Sequence, residues 1–173
     1  MVGFLFFSTA TYNVGMDELA SVIHTTRSPE ETALLAERFV SALAVQERDR
    51  GTSTLVALSG DLGAGKTTFT QGVARALGVV ERVTSPTFVI ERVYRLPESA
   101  AWKHLVHIDA YRLSGDAELA TIGWYDIATN PQNLVLMEWP EQVERGVPSR
   151  AVRVSFEEVD EHTRNISIHG VGL

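Results

Sequence analysis

The most specific chemical pattern in the chain is a run of eight residues, Gly60-Asp61-Leu62-Gly63-Ala64-Gly65-Lys66-Thr67. A glycine, four residues and then Gly-Lys-Thr is the spacing of a phosphate-cradling loop, provided that a strand precedes it and a helix follows. Glycines at 60, 63 and 65 let the backbone curl until successive N–H groups face a polyphosphate, where a Cβ would clash with the turn or the ligand. A helix opening near Lys66 adds unsatisfied N–H groups and the positive end of its dipole. The Lys66 ammonium can then reach β- and γ-phosphates, and the Thr67 hydroxyl can ligate magnesium. The expected nucleotide contacts are therefore Gly60, Asp61, Leu62, Gly63, Ala64, Gly65, Lys66, Thr67 and Thr68. The competing explanation is a glycine-rich turn with Lys66 in solvent. Lysine occurs only at 66 and 103, so abundance does not account for one here.

Such a loop needs a carboxylate from a neighbouring strand, because magnesium held by one hydroxyl and phosphate oxygens still has open positions. Two acids qualify: Asp109 after Leu105-Val106-His107-Ile108, and Glu138 after Leu134-Val135-Leu136-Met137. Ligands of open α/β sheets sit at the carboxyl ends of strands. Glu138 is assigned to the metal sphere with Thr67, and Asp109 to orienting water or coupling the metal to a mobile segment. Each acid could instead cap a turn. Thr87, in Thr84-Ser85-Pro86-Thr87, is the candidate γ-phosphate sensor, against a plain Ser-Pro turn entering a strand. Trp139 either stacks on a ligand or fills the core edge, while His107, between apolar residues, reads as a structural hydrogen-bonding histidine.

The elements that must position these residues follow from periodicity. Ala20 to Thr25 reads as a strand, and a helix follows with Ser28 as N-cap, Pro29 at its first position and Glu31 reaching back to the Ser28 amide. Leu35, Phe39 and Leu43 give that helix one buried stripe, with Glu37, Arg38 and Glu47 on the solvated face. Thr54 to Ser59 is apolar and flanked by glycines, the pattern of a central strand covered on both sides. Thr67 to Leu77 has helical spacing, and Gly78 sits at the left-handed cap position. Phe88 to Arg95, Leu105 to Asp109 and Leu134 to Glu138 are predicted strands, with Asp116 to Ala128 the room for further helix. Ala151 to Phe156 and Asn165 to His169 flank a polar turn and predict a closing antiparallel hairpin. The predicted fold class is α/β: a three-layer phosphate-loop fold with a central mixed, mainly parallel sheet.

A chain of 173 residues that is 45% hydrophobic supports one domain, read as 16–173. Residues 1–15 are read as an extension, disordered or outside the family pattern, with Met16 a candidate start. Fifteen basic against 22 acidic residues give a formal charge of -7, the wrong sign for a protein that gains its affinity from phosphate backbones. The absence of cysteine excludes disulfides, thiolate metal sites and cysteine nucleophiles. No apolar run approaches the roughly 18 residues that span a bilayer, and Gly3 to Phe7 lacks the flanks of a targeting signal, so a soluble, cytoplasmic chain is expected.

Four segments in order, Gly60 to Thr68, Ser85-Pro86-Thr87-Phe88, His107-Ile108-Asp109-Ala110-Tyr111-Arg112-Leu113 and Glu138-Trp139-Pro140-Glu141, resemble the TsaE (formerly YjeE) family. The likeness runs from about Ser28 to Glu141. It implies an ATPase, with ATP and Mg2+ as cofactors, that acts with TsaB and TsaD in making N6-threonylcarbamoyladenosine in tRNAs reading codons that begin with adenine. In that picture TsaD carries out the transfer, ATP hydrolysis supports the complex between cycles, and tRNA is met only through the complex. By position, Lys66 and Thr67 carry over as phosphate and magnesium ligands, Glu138 as the second metal-associated residue and Asp109 as a residue needed for hydrolysis. The chain departs from the family pattern at Ala110, at Trp124-Tyr125-Asp126 and in the N-terminal extension. Among rivals, a GTPase would carry Asn-Lys-x-Asp, which neither lysine provides, and a small-molecule kinase would carry an arginine-rich lid. A nucleotide-gated interaction module with negligible hydrolysis is the non-enzyme alternative.

Overall fold

The computed structural model describes residues 22–46 and 51–173. Residues 1–15, Ala20 and Glu47 therefore lie outside the described residues. The elements in chain order are β1 (Val22–Thr26), α1 (Pro29–Gln46), β2 (Thr54–Gly60), α2 (Lys66–Ala76), β3 (Glu91–Arg95), β4 (His104–Asp109), α3 (Trp124–Thr129), β5 (Asn133–Glu138), β6 (Val152–Glu158) and β7 (Arg164–His169). Three 3-10 segments, Ala110–Arg112, Asp116–Ile122 and Pro140–Gly146, join them.

The seven described strands form one sheet in the order β1-β7-β6-β2-β5-β4-β3. β2 runs parallel to both β5 and β6, and β4 runs parallel to β5, so the middle four strands share one direction. The edges are antiparallel: β3 on β4, β7 on β6 and β1 on β7. The mixed, mainly parallel sheet and its C-terminal hairpin match the sequence reading, with β2 at the centre.

Alternation along the strands explains the layers. In β2, Val56 and Leu58 face one side and Leu55 and Ala57 the other; in β5, Leu134 and Leu136 oppose Val135 and Met137. The first side packs on α1 and α2 through Leu35, Phe39, Leu43, Phe69 and Val73. Phe69 meets Phe39 and Phe156 with ring centroids at 5.3 and 5.6 Å. The second side is covered by Leu119 and Val143 of the 3-10 segments, by Leu113 and Val147 just past the ends of two of them, and by Trp124 and Ile127 of α3. Burial on both faces is why these strands read as apolar runs.

Three expectations need correction. The Ser28 hydroxyl does accept from the Glu31 amide at 3.2 Å, but the Glu31 carboxylate accepts from the Arg27 amide at 2.7 Å, one residue before the expected partner. The strand predicted from Phe88 begins at Glu91, because the Pro86 carbonyl accepts from the Val89 and Ile90 amides and Ile90 takes a φ of 68°. Phe88 is accordingly exposed. The region 116–128 is split, with Gly123 at φ 68° ending the 3-10 segment before α3 begins.

Candidate functional site

The site lies where β2, β4 and β5 end together. β2 stops at Gly60, the loop turns, and α2 opens at Lys66 behind a left-handed Gly65. Gly60 cannot be replaced without moving β6: a Cβ there would stand 2.5 Å from the Phe156 carbonyl oxygen. Around Gly63 a Cβ would meet nothing, and at Gly65 only Phe156 at 4.0 Å, so those two are required by their positive φ rather than by crowding. Ala64 is buried and its amide donates to the Asp61 carbonyl at 3.2 Å, closing the turn.

Lys66 is 4% exposed and lies along the loop, its ammonium donating to the carbonyls of Gly60 at 2.5 Å and Asp61 at 2.8 Å. It also sits 4.0 Å from the centre of the Trp139 ring, which in turn packs on Tyr111 at 5.1 Å. Burial pushes the Lys66 ammonium below its ordinary range, and the surrounding carboxylates of Glu138, Glu141, Asp109 and Asp61 oppose that shift. Trp139 reaches this position through a φ of 59°, a left-handed turn immediately after β5. The sequence left its partner open between ligand and core; in the structure its ring faces the lysine and the tyrosine.

Strand register brings the two acids together. Asp109 and Glu138 are paired residues of β4 and β5, both almost fully buried. The Thr67 hydroxyl lies 3.0 and 3.1 Å from the two Glu138 oxygens, and His107 Nε2 lies 2.8 Å from Oε1. Asp109 Oδ2 accepts from Ser85 at 2.7 Å and from Thr87 at 2.5 Å, and its Oδ1 accepts the Tyr111 amide at 3.1 Å. The Asp109 amide donates to Ile90 at 2.8 Å. Asp109 is thus the anchor of the segment 85–90, through both side chain and backbone. The Ser-Pro turn and the hydroxyl facing the acids coexist, where the sequence reading set them against each other.

Lys66, Thr67, Ser85, Thr87, Asp109, Glu138 and Trp139 all line one cavity of about 340 Å³, together with Leu62, Gly63, Gly65, Thr68 and Tyr111. Asp61 is exposed and outside that lining. A second cavity of about 360 Å³ opens on the other side of the loop, sharing Gly63, Gly65 and Thr68 and closed by Arg27, Ser28, Pro29 and Thr32 around the start of α1, by Glu161 and His162 of the β6–β7 turn and by Arg164 opening β7. The donor set next to Thr67 is oxygen only, a hydroxyl beside a carboxylate, which suits a hard cation such as magnesium. Among the described residues no three His, Cys, Asp or Glu side chains form a closed metal cage. An ion completed by phosphate oxygens needs none. Ser85 and Tyr111 received no role from the sequence. Their signal was position, two residues from Thr87 and from Asp109, and only the register of β4 turns it into contact. No helix among the described residues is long and apolar enough to cross a membrane.

Known proteins resemble this chain over most of its length. The family profile described as "Threonylcarbamoyl adenosine biosynthesis protein TsaE" matches residues 26–166. The tRNA threonylcarbamoyladenosine biosynthesis protein TsaE of Streptomyces coelicolor is 38% identical over 122 residues, covering 68% of this chain and 80% of the relative. The protein of that name from Bacillus subtilis is 33% identical over 150 residues, covering 85% of this chain and 84% of the relative. A crystal structure of Bacillus subtilis YdiB superposes with a TM-score of 0.61 at 28% identity, covering 88% of this chain and 86% of that one. The segments that build the site, from Arg27 to Arg164, fall within the matched span, and this chain belongs to the TsaE family of tRNA threonylcarbamoyladenosine biosynthesis proteins.

Proposed function

We propose that the chain is the magnesium-dependent, ATP-hydrolysing component of the tRNA threonylcarbamoyladenosine machinery, working in the cytoplasm with TsaB and TsaD proteins and supporting their turnover rather than performing the transfer. The observation that carries this reading is the meeting of three things at one strand end: a glycine loop opening a helix, a buried lysine folded along it, and a Thr67 hydroxyl against the Glu138 carboxylate. In this reading the loop amides and Lys66 hold the β- and γ-phosphates, and the nucleoside end extends past Thr68 into the cavity between Arg27 and His162. Thr67 and Glu138 hold Mg2+, which when bound neutralises charge on the phosphates.

Asp109 has the two roles assigned from sequence weighed by its partners. Its oxygens are engaged by Ser85, Thr87 and the Tyr111 amide, which favours coupling the 85–90 segment to the phosphates over activating water. Thr87 lines the same cavity as Lys66, as does Ser85, and in this reading Thr87 reports on the γ-phosphate. Trp139 then covers Lys66 and limits how far its ammonium can swing.

The test is steady-state phosphate release from ATP with water as the sole acceptor, with and without TsaB and TsaD, comparing the unaltered chain with Lys66→Ala. Hydrolysis that depends on magnesium, rises with the partners and disappears in K66A supports the reading. Assembly with the partners that needs ATP but releases no phosphate would instead make the chain a nucleotide-gated module.

A further inference from the structure

We propose that His107 is a positioning residue that orients the Glu138 carboxylate and thereby sets the affinity of the site for its divalent cation. The inference rests on the reading above, in which Glu138 belongs to the metal sphere. His107 stands in the middle of β4, fully buried, between Val106 and Ile108, which are also buried. Strand alternation puts it on the face that carries Leu105, opposite Val106 and Ile108, and the same face of β5 carries Leu136 and Glu138. An aliphatic side chain would suit that environment, so a buried imidazole requires a reason of its own.

The reason offered by the geometry is a single bond. His107 Nε2 lies 2.8 Å from Glu138 Oε1, and a carboxylate has no proton to offer, so the imidazole is the donor. Nδ1 is buried without a partner among the described residues, so nothing on the other side of the ring competes to fix its orientation or tautomer. The Thr67 hydroxyl reaches both Glu138 oxygens almost equally, at 3.0 and 3.1 Å, and so does not distinguish them. His107 does. It engages Oε1 from inside the sheet, whereas Oε2 has only the Thr67 hydroxyl as a hydrogen-bond partner among the described residues, and this inequality holds the carboxylate in one rotation. Buried partners behind a metal-associated carboxylate act in this way, and their loss costs about 10- to 100-fold in metal affinity.

The test measures cation binding directly. Free Mn2+ is followed by electron paramagnetic resonance as it is titrated into the full chain with saturating ADP, for wild type, His107→Gln and His107→Asn. The Gln amide can place a donor where Nε2 stands, whereas the shorter Asn amide cannot reach Glu138. The expected result is weakening of Mn2+ binding by about 10- to 100-fold in H107N, with H107Q within about threefold of wild type. ADP affinity measured in chelator should stay within about twofold in all three. Equal Mn2+ affinity in H107N and wild type would overturn the proposal while leaving the assigned function standing, as would equal losses in H107Q and H107N. Absence of ADP-dependent Mn2+ binding in the wild type would sink both. A measurement without variants completes it: in the 15N-histidine-labelled wild type, the His107 proton is expected on Nε2 with a resonance that moves on adding Mg2+ to the ADP complex. An Nε2 without a proton contradicts the proposal.

Discussion

The two cavities that flank the glycine loop share Gly63, Gly65 and Thr68 and have similar volumes, yet they are built on different principles. On the side of Asp109 and Glu138, Lys66 and the two acids are buried, the acids are bonded to neighbouring hydroxyls and to His107, and the register of β4 on β5 sets the acids side by side. On the side of Arg27 and His162, they come from a helix start and a hairpin turn, and Arg27, Glu161 and His162 are exposed. Arg164 spends its guanidinium on the turn itself, donating to the carbonyls of Asp160, Glu161 and Thr163. The two acids proposed to act at the phosphates are thus held by the sheet, while the groups proposed to meet the rest of the ligand come from a helix start and a turn. A change on the first side should alter the rate; on the second it should alter only affinity.

The most severe break in that contrast is Lys66→Ala. With its ammonium gone, a polyphosphate loses a buried cation, and phosphate release should fall by roughly 100-fold or more in a steady-state assay. Asp109→Ala comes next: it frees Ser85 and Thr87 together, and kcat should drop about 10- to 100-fold with KM for ATP changed far less, since a hydrogen bond to a charged group is lost at each hydroxyl. Equal changes in kcat and KM would return Asp109 to a purely structural role. On the other side of the loop, His162→Ala should raise KM for ATP by about three- to tenfold and leave kcat unaltered. A fall in kcat there would erase the division between the cavities.

The smallest effect sharpens the contrast by lying outside both cavities. Glu91, half-buried at the start of β3, has its carboxyl pushed up by burial. Folding therefore disfavours its ionised form: the stability it contributes is fully present below its unfolded value and lost as pH rises through the folded one. Glu91→Gln should raise the melting temperature slightly at pH 7, and the gain should vanish below about pH 4, with hydrolysis unaffected at either pH.

How much could be read before the structure depended on how local each feature is. The loop was readable because Gly60 to Thr67 is contiguous and its strand and helix carry their own periodicities. Asp109 and Glu138 were placed correctly at strand ends, but that they are direct neighbours follows only from β4 pairing with β5. The contact of Trp139 with Lys66 was out of reach, since it depends on a left-handed residue after β5 and on α2 opening beside it. Phe88 to Glu91 was misread because Phe-Val-Ile-Glu alternates plausibly, whereas the turn on Pro86 and the positive φ of Ile90 delay the strand. His107 was read as structural from its apolar neighbours, which is true of its burial and silent about its bond to Glu138.

In the proposed function, the loop, Lys66 and the Thr67–Glu138 pair grip a magnesium nucleotide. Isothermal titration of the unaltered chain with a non-hydrolysable ATP analogue tests it most directly. One site per chain is expected, with binding weakened at least tenfold when magnesium is replaced by chelator. No heat of binding with magnesium present, for ATP or any other nucleoside triphosphate, would contradict it.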